Sequence, residues 1–180
     1  MKTNLFFNYY EDKIRQHEID YCYKKNSEVF DNVYLIEGRP TFNEIFEQMR
    51  NFPNDINCCC NSDIYFEDLE KIKKIGKDEC WALTRYNVVN GNKVFYNKAD
   101  SQDAWVFNGS PRAIKAPFTQ GLWGCDNRLL FEIMSVGYTI KNPSLSIRTI
   151  HVHEFDNRNY KRTDENTVKP PYLTIKPSLI

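Results

Sequence analysis

The sequence predicts a single α/β domain with a mostly parallel central sheet, flanking helices and an antiparallel hairpin in its second half. Strand and helix patterns alternate through the first half, which is typical of parallel strands joined by helical crossovers. An Asn-Gly pair between two extended segments predicts the hairpin. The length of 180 residues suits one domain. We place this domain at about residues 1–165 and expect an irregular tail over 166–180.

The first three elements are predicted from short apolar runs and one polar helix pattern. Residues 4–10 and 33–36 are apolar enough for strands that are at least partly buried. Residues 11 to about 25 lie between them and are predicted as a helix. The residues of this helix that we expect to face the core are Ile14, Tyr21 and Cys22.

The next helix has the clearest pattern in the chain. Thr41 and Glu44 have the spacing of a capping box, in which each side chain bonds the backbone of the other residue. An apolar stripe at helical spacing follows and comprises Phe42, Ile45, Phe46 and Met49. Residues 56–60 are predicted as another buried strand. A further helix is predicted from the apolar residues Phe66, Leu69, Ile72 and Ile75, with Gly76 at its end.

The second half is predicted to be richer in strands. The hairpin is centred on Asn90-Gly91, because both residues tolerate the positive φ angles of a two-residue turn. A helix is predicted over 126–136, with Leu129, Leu130, Ile133 and Met134 inward. The other extended segments are predicted at 81–86, 104–107, 138–140 and 147–153.

Composition excludes some classes of function. Lys+Arg and Asp+Glu each total 24 and the net charge is zero, so there is no strong signal for nucleic acid. No run of about 20 apolar residues is present, and the N-terminus lacks the pattern of a secretion signal. We therefore expect a soluble cytoplasmic protein with no membrane span. The six cysteines lack zinc-site spacing, and we interpret them as reduced, buried residues.

Chemistry is predicted at the end of the strand over 56–60, which runs directly into Asn61, Ser62 and Asp63. Ligands of parallel α/β sheets bind at the carboxyl ends of the strands. Mg²⁺ and Mn²⁺ prefer carboxylate oxygens and bridge to diphosphates. The alternative is a plain turn, since all three residue types favour turns.

The segment Asn61-Ser62-Asp63 followed by Ile64-Tyr65-Phe66 resembles the D-x-D region of glycosyltransferases with the A-type (GT-A) fold, with Asn61 where the family often has Asp. The resemblance extends from the first strand to about Tyr160. The further segments that carry it are 101–107, 124–127, 142–144, 151–153 and 158–160. It implies a donor half over about residues 1–100 and an acceptor half over 101–165.

The resemblance implies that Asp63 and a late histidine, preferably His153 over His151, hold Mn²⁺ or Mg²⁺ on a nucleotide diphosphate sugar. Asn61 and Ser62 would assist at the donor site. Arg85 and Arg158 are candidates for pairing with the diphosphate through bidentate hydrogen bonds, or are surface residues in weak ion pairs. Arg39 is a further candidate near the nucleotide.

Two more carboxylates are candidate catalytic residues. Asp126 precedes a helix, where the family's inverting members place the base that deprotonates the acceptor. If the reaction retains configuration, Asp126 would instead position the acceptor or the sugar. Asp before a helix is also a favoured N-cap, and this alternative stays open. Asp103 precedes a strand and is either a ligand of sugar hydroxyls or a turn residue.

The function predicted from the sequence is a metal-dependent glycosyltransferase acting on an unknown acceptor, which could be a glycan, a small molecule or another polymer. One alternative is a nucleotidyltransferase. The other is a catalytically degenerate module that binds a sugar nucleotide or a protein. The release of nucleoside diphosphate or pyrophosphate, or the lack of turnover, distinguishes the three.

Overall fold

The fold contains two β-sheets and three α-helices within the described residues, 1–152 and 163–180, of a computed structural model. The elements in chain order are β1 (Thr3–Tyr9), α1 (Gln16–Val29), β2 (Asn32–Glu37), α2 (Phe42–Met49), β3 (Ile56–Cys60), β4 (Ile64–Phe66), β5 (Glu79–Leu83), β6 (Tyr86–Val89), β7 (Asn92–Phe95), β8 (Ala104–Asn108), α3 (Cys125–Ser135), β9 (Thr139–Lys141) and β10 (Thr149–His151). The α/β class predicted from the sequence is therefore confirmed.

The larger sheet has six strands in the order β2-β1-β3-β8-β5-β9, and it is mixed rather than mostly parallel. The neighbours β2, β1 and β3 are parallel, as are β5 and β9, whereas β8 runs antiparallel to both β3 and β5. The chain leaves β5, forms the hairpin and re-enters the sheet at the edge it left. The Asp103 amide accordingly donates to the Leu83 carbonyl, at 2.9 Å, and β8 must run backwards from there.

The smaller sheet has four strands in the order β4-β10-β6-β7. Its β6–β7 pair is the predicted hairpin, and Asn90 and Gly91 take φ angles of 50° and 76° at the turn. The helix predicted over residues 66–75 is wrong. Phe66 pairs with Thr149 in β4, and only a short 3₁₀ turn over Ile72–Lys74 follows, because the apolar residues of this stretch pack under the second sheet.

The core is divided between the two faces of the larger sheet. Side chains alternate along β3, so Cys58 and Cys60 lie in one apolar cluster and Cys59 lies in the other. All six cysteines are buried free thiols, as the sequence predicted. Burial raises the pKa of the Cys58, Cys59 and Cys60 thiols, so they remain protonated and act as small apolar groups.

Helices α1, α2 and α3 form where the sequence predicts helices, but the predictions that Tyr21 and Met134 face the core are wrong, since these side chains are 44% and 43% exposed. The start of α1 also differs from the prediction. Asp12 accepts hydrogen bonds from the backbone amides of Ile14 and Arg15, and this turn delays the helix until Gln16. Ile14 is consequently 63% exposed instead of core-facing. The capping box of α2 is confirmed, with the Thr41 and Glu44 side chains each bonding the other residue's backbone amide.

The C-terminal tail is irregular, as predicted, but it is attached to the domain. The Leu173 amide donates to the Asn127 carbonyl, and the Ile175 amide donates to the Ala99 carbonyl, both at 2.9 Å. The tail thus lies against the start of α3. None of the helices in the described residues has both the length and the apolar character needed to cross a membrane.

Candidate functional site

A polar cleft of about 570 Å³ lies at the edge of the larger sheet where β1, β2, β3 and β5 end. This is the edge at which ligands of α/β sheets are expected. Because β8 is antiparallel, the residues that precede it reach the same edge. The lining includes Tyr10, Asp12, Arg15, Arg39, Asn61, Ser62, Asp63, Arg85, Asp103, Gln120, Asp126, His151 and Tyr172.

Asp63 follows β3, and its carboxylate contacts the side chains of Arg15 and His151. Its Oδ2 atom lies 2.7 Å from Arg15 Nη2 and 3.2 Å from His151 Nε2. Burial by itself would raise the pKa of the Asp63 carboxyl. The hydrogen bonds and charges of His151 and Arg15 outweigh it and hold that pKa below its usual range. Asp63 is therefore an ionised carboxylate with its charge already offset.

Asn61, Asp103 and Arg85 form a second network beside Asp63. Arg85 Nη1 lies 3.0 Å from both carboxylate oxygens of Asp103, and Asn61 Nδ2 donates to the same carboxylate at 3.0 Å. The Arg85 guanidinium also stacks on Tyr96 at 4.5 Å. The structure thus brings these three predicted residues together, with Asn61 and Arg85 positioned on Asp103.

The Ser62 hydroxyl is used in a hydrogen bond within the protein and is not directed to a ligand. Its hydroxyl donates to the Asn8 carbonyl at 2.7 Å and ties the end of β3 to the end of β1. The neighbouring Asn8 is only 5% exposed, and its side-chain oxygen has no hydrogen-bond partner within the described residues. Both polar atoms of the Gln120 side chain are likewise buried without a partner there. These groups give the cleft unused hydrogen-bonding capacity.

Asp126 lies at the other side of the cleft, one residue inside α3. The N-cap of α3 is Gly124, with φ of 72°, so Asp126 does not occupy the cap position that the sequence left open. Burial, together with the Asp103 carboxylate, raises the pKa of the Asp126 carboxyl to about 7. The Cys125 thiol, which donates to Asp126 Oδ1 at 2.9 Å, opposes this rise only in part, as do the backbone hydrogen bond from Gln102 and the Arg85 charge.

A carboxyl group with a pKa near 7 exchanges protons readily at neutral pH. General bases work best when their pKa lies near the operating pH. Carboxylates with raised pKa values in clefts are functional-site candidates on physical grounds. Asp126 is therefore the group in the cleft best suited to take a proton from a hydroxyl.

Two predicted site residues, His153 and Arg158, lie outside the described residues. His151, the alternative histidine, contacts Asp63. A metal site fits poorly in the described part of the chain, where no group of three or more His, Cys, Asp or Glu side chains gathers to hold an ion. Asp63 Oδ2 is already paired with Arg15.

Sequence reasoning missed several cleft residues. Arg15 lies in a stretch predicted only as a polar helix, and nothing in the pattern indicates that it reaches Asp63. Gln120 and Tyr172 come from a loop and the tail, where no pattern marks them. Tyr10 ends the first predicted strand, so the strand-end rule that selected Asp63 applies to it equally.

Comparison with known proteins does not assign the chain to a family. No family model matches the chain, and no curated protein is significantly similar to it in sequence. The class is therefore defined by the fold and the site: an α/β domain with a mixed sheet and a polar cleft at the strand ends.

Proposed function

We propose that this protein is a glycosyltransferase that moves a sugar from a nucleotide diphosphate sugar to an acceptor hydroxyl in the cleft. The observation that carries the proposal is Asp126, a carboxyl with a pKa of about 7 in a cleft at the strand ends. The cleft volume of about 570 Å³ is in the range of small-molecule sites. The resemblance of the strand-end segment Asn61-Ser62-Asp63 to glycosyltransferases supports the same class.

Asp126 serves as the general base in this proposal. Its ionised carboxylate takes the proton of the acceptor hydroxyl while that oxygen attacks the anomeric carbon. The bond between the anomeric carbon and the diphosphate oxygen breaks, and nucleoside diphosphate leaves with the bonding electrons. The attack from the opposite face inverts the anomeric configuration.

Asp103 and Arg85 position the reacting groups. The Asp103 carboxylate lies between Arg85 and Asn61 and contributes to the raised pKa of Asp126. The negative charge of Asp103 raises the pKa of the Asp126 carboxyl and so makes Asp126 a stronger base. The metal dependence predicted from the sequence stays a prediction that rests on Asp63 and His153. The described residues do not form such a site, and no step above requires it.

The test is release of nucleoside diphosphate from a panel of nucleotide sugars, with acceptor sugars and without them. Asp126→Asn keeps the shape of the side chain but removes the base, so turnover should fall roughly 10²–10⁴-fold. Asp68→Asn is the matched control, because Asp68 is an exposed carboxylate outside the cleft. Full activity of Asp126→Asn would refute the base. Release of pyrophosphate instead would indicate a nucleotidyltransferase.

A further inference from the structure

Arg15 places a positive charge at the end of the cleft that lies beside the ends of β1 and β3. Its Nε atom lies 2.6 Å from Glu18, and its Nη2 atom lies 2.7 Å from Asp63. Glu18 is buried, and the Arg15 side chain is only 20% exposed. Two carboxylates thus fix the plane of the guanidinium. Its third nitrogen, Nη1, makes no hydrogen bond within the described residues, although Arg15 lines the cleft.

Arg39 is a second guanidinium at the same end of the cleft. It follows β2 and stacks over the Tyr10 ring at 5.0 Å. Its side chain is exposed, and it forms no ion pair with the carboxylates of the described residues. Burial raises the pKa of the Tyr10 hydroxyl, and the positive charges of Arg39 and Arg15 oppose that rise. Tyr10, Arg15 and Arg39 all line the cleft.

The charge of Asp63 is already offset by its contacts with Arg15 and His151. A divalent ion at Asp63 Oδ2 would have to displace the Arg15 guanidinium, which bonds that oxygen at 2.7 Å. The other carboxylate at this end of the cleft, Asp12, uses Oδ1 to accept two backbone hydrogen bonds. One oxygen of each carboxylate is thus already engaged within the protein, and Arg15 and Arg39 add guanidinium donors to this end of the cleft.

We propose that Arg15 and Arg39 form a diphosphate-binding subsite, at which this protein binds nucleoside diphosphates without a divalent metal. The inference rests on the proposed function, and it names what meets the charge of the leaving diphosphate. Guanidinium groups donate in a planar fork that matches phosphate oxygens. Asp63 and Glu18 hold Arg15 ready for this contact. The Tyr10 ring stacks against the Arg39 guanidinium and restricts its orientation.

The experiment is calorimetric titration with uridine, guanosine and adenosine diphosphates, in EDTA and again in Mn²⁺. We expect at least one to bind, with dissociation constants in the two conditions that agree within about three-fold. Arg39→Gln should weaken that binding in EDTA about ten-fold or more, since hydrogen bonds to charged groups are strong. Arg148→Gln is the control, because Arg148 is an exposed arginine outside the cleft.

Arg15 needs two variants, because it also supports the buried Glu18. Arg15→Gln removes the charge, and Arg15→Lys keeps the charge but loses the fork. Both should weaken nucleoside diphosphate binding in EDTA, and circular dichroism checks that each variant is folded. In the absence of nucleotide, Arg15→Gln should also bind Mn²⁺ more tightly than the wild type, because Asp63 is then released.

The outcomes separate this inference from the proposed function. Binding that requires Mn²⁺ would overturn the subsite and leave the transferase intact. Unchanged binding by folded Arg15 and Arg39 variants would also overturn it. If the protein binds none of the three nucleotides in either condition, the result would contradict both proposals.

Discussion

At the scale of single residues, Asp126 shows how position decides between two roles. An Asp before a helix is equally consistent with a cap and with a base. The structure places it one residue inside α3, after the N-cap Gly124. The helix N-terminus favours its charged form, but burial and the Asp103 carboxylate act more strongly and raise its pKa to about 7.

The raised pKa of Asp126 predicts a pH-dependent cost to stability. In the unfolded chain an Asp loses its proton near pH 4, whereas in the native state Asp126 keeps it until about pH 7. The native state therefore binds more protons than the unfolded chain in this window. As pH rises from about 4 to 7, the contribution of Asp126 to the free energy of unfolding falls. Asp126→Asn should match the wild type near pH 4 and exceed it by about 1–3 kcal/mol at pH 8.

Urea unfolding at several pH values measures this difference. Asp68→Asn should show no comparable trend, because Asp68 is exposed. A gap between Asp126→Asn and the wild type that stays constant from pH 4 to pH 8 would mean that the Asp126 pKa is ordinary.

Asp63 is the residue for which context changed the expectation most. As a strand-end carboxylate it is predicted to bind a ligand. The structure gives it an internal role as well, in a partly buried pair with Arg15 and a contact with His151. Removing one partner of such a pair leaves the other charge without its counter-ion, which is destabilising.

At the scale of elements, local signals were reliable where the element forms its own bonds. The α2 capping box and the β6–β7 turn need only nearby residues, and both are confirmed. The helix predicted over residues 66–75 failed because Phe66 instead pairs with β10, about 80 residues later in the chain. The direction of β8 was missed for the same reason.

The α2 cap gives a prediction at this scale. Thr41 Oγ1 accepts from the Glu44 amide, so Thr41→Ala should lower the free energy of unfolding by about 1 kcal/mol. Thr41→Ser keeps the oxygen and should retain most of the stability. Both are measured by urea unfolding. Equal losses in Ala and Ser would show that the Thr41 methyl group, and not the cap, carries the effect.

At the scale of the whole molecule, the tail closes one side of the cleft. Tyr172 lines the cleft beside Gly124, where a Cβ would lie 2.8 Å from the Tyr172 hydroxyl oxygen. Leu173 and Ile175 pack against the apolar cluster that contains α2 and α3. The tail therefore contributes to the core and to the cleft without any regular secondary structure.

Removal of the tail after Lys169 should therefore destabilise the domain. It exposes the surface under Leu173 and Ile175 and breaks their backbone hydrogen bonds. We expect a loss of about 2 kcal/mol or more in the free energy of unfolding. The matched control is truncation after Ser178, which removes only Leu179 and Ile180, with exposures of 69% and 51%. If both truncations unfold at the same urea concentration, the tail does not support the core.

The sequence by itself determined the α/β class, most of the strands, the capping box, the hairpin turn and the polar segment that follows β3. These features depend on periodicity and on bonds between neighbouring residues. Tertiary structure decided that β8 runs antiparallel, that Arg15 pairs with Asp63, and that Asp103 lies near enough to raise the pKa of Asp126. Arg15 and Asp63 are 48 residues apart in the chain. Such a pairing is set by the order of strands in the sheet and by burial in three dimensions, and neither leaves a periodic trace in the sequence.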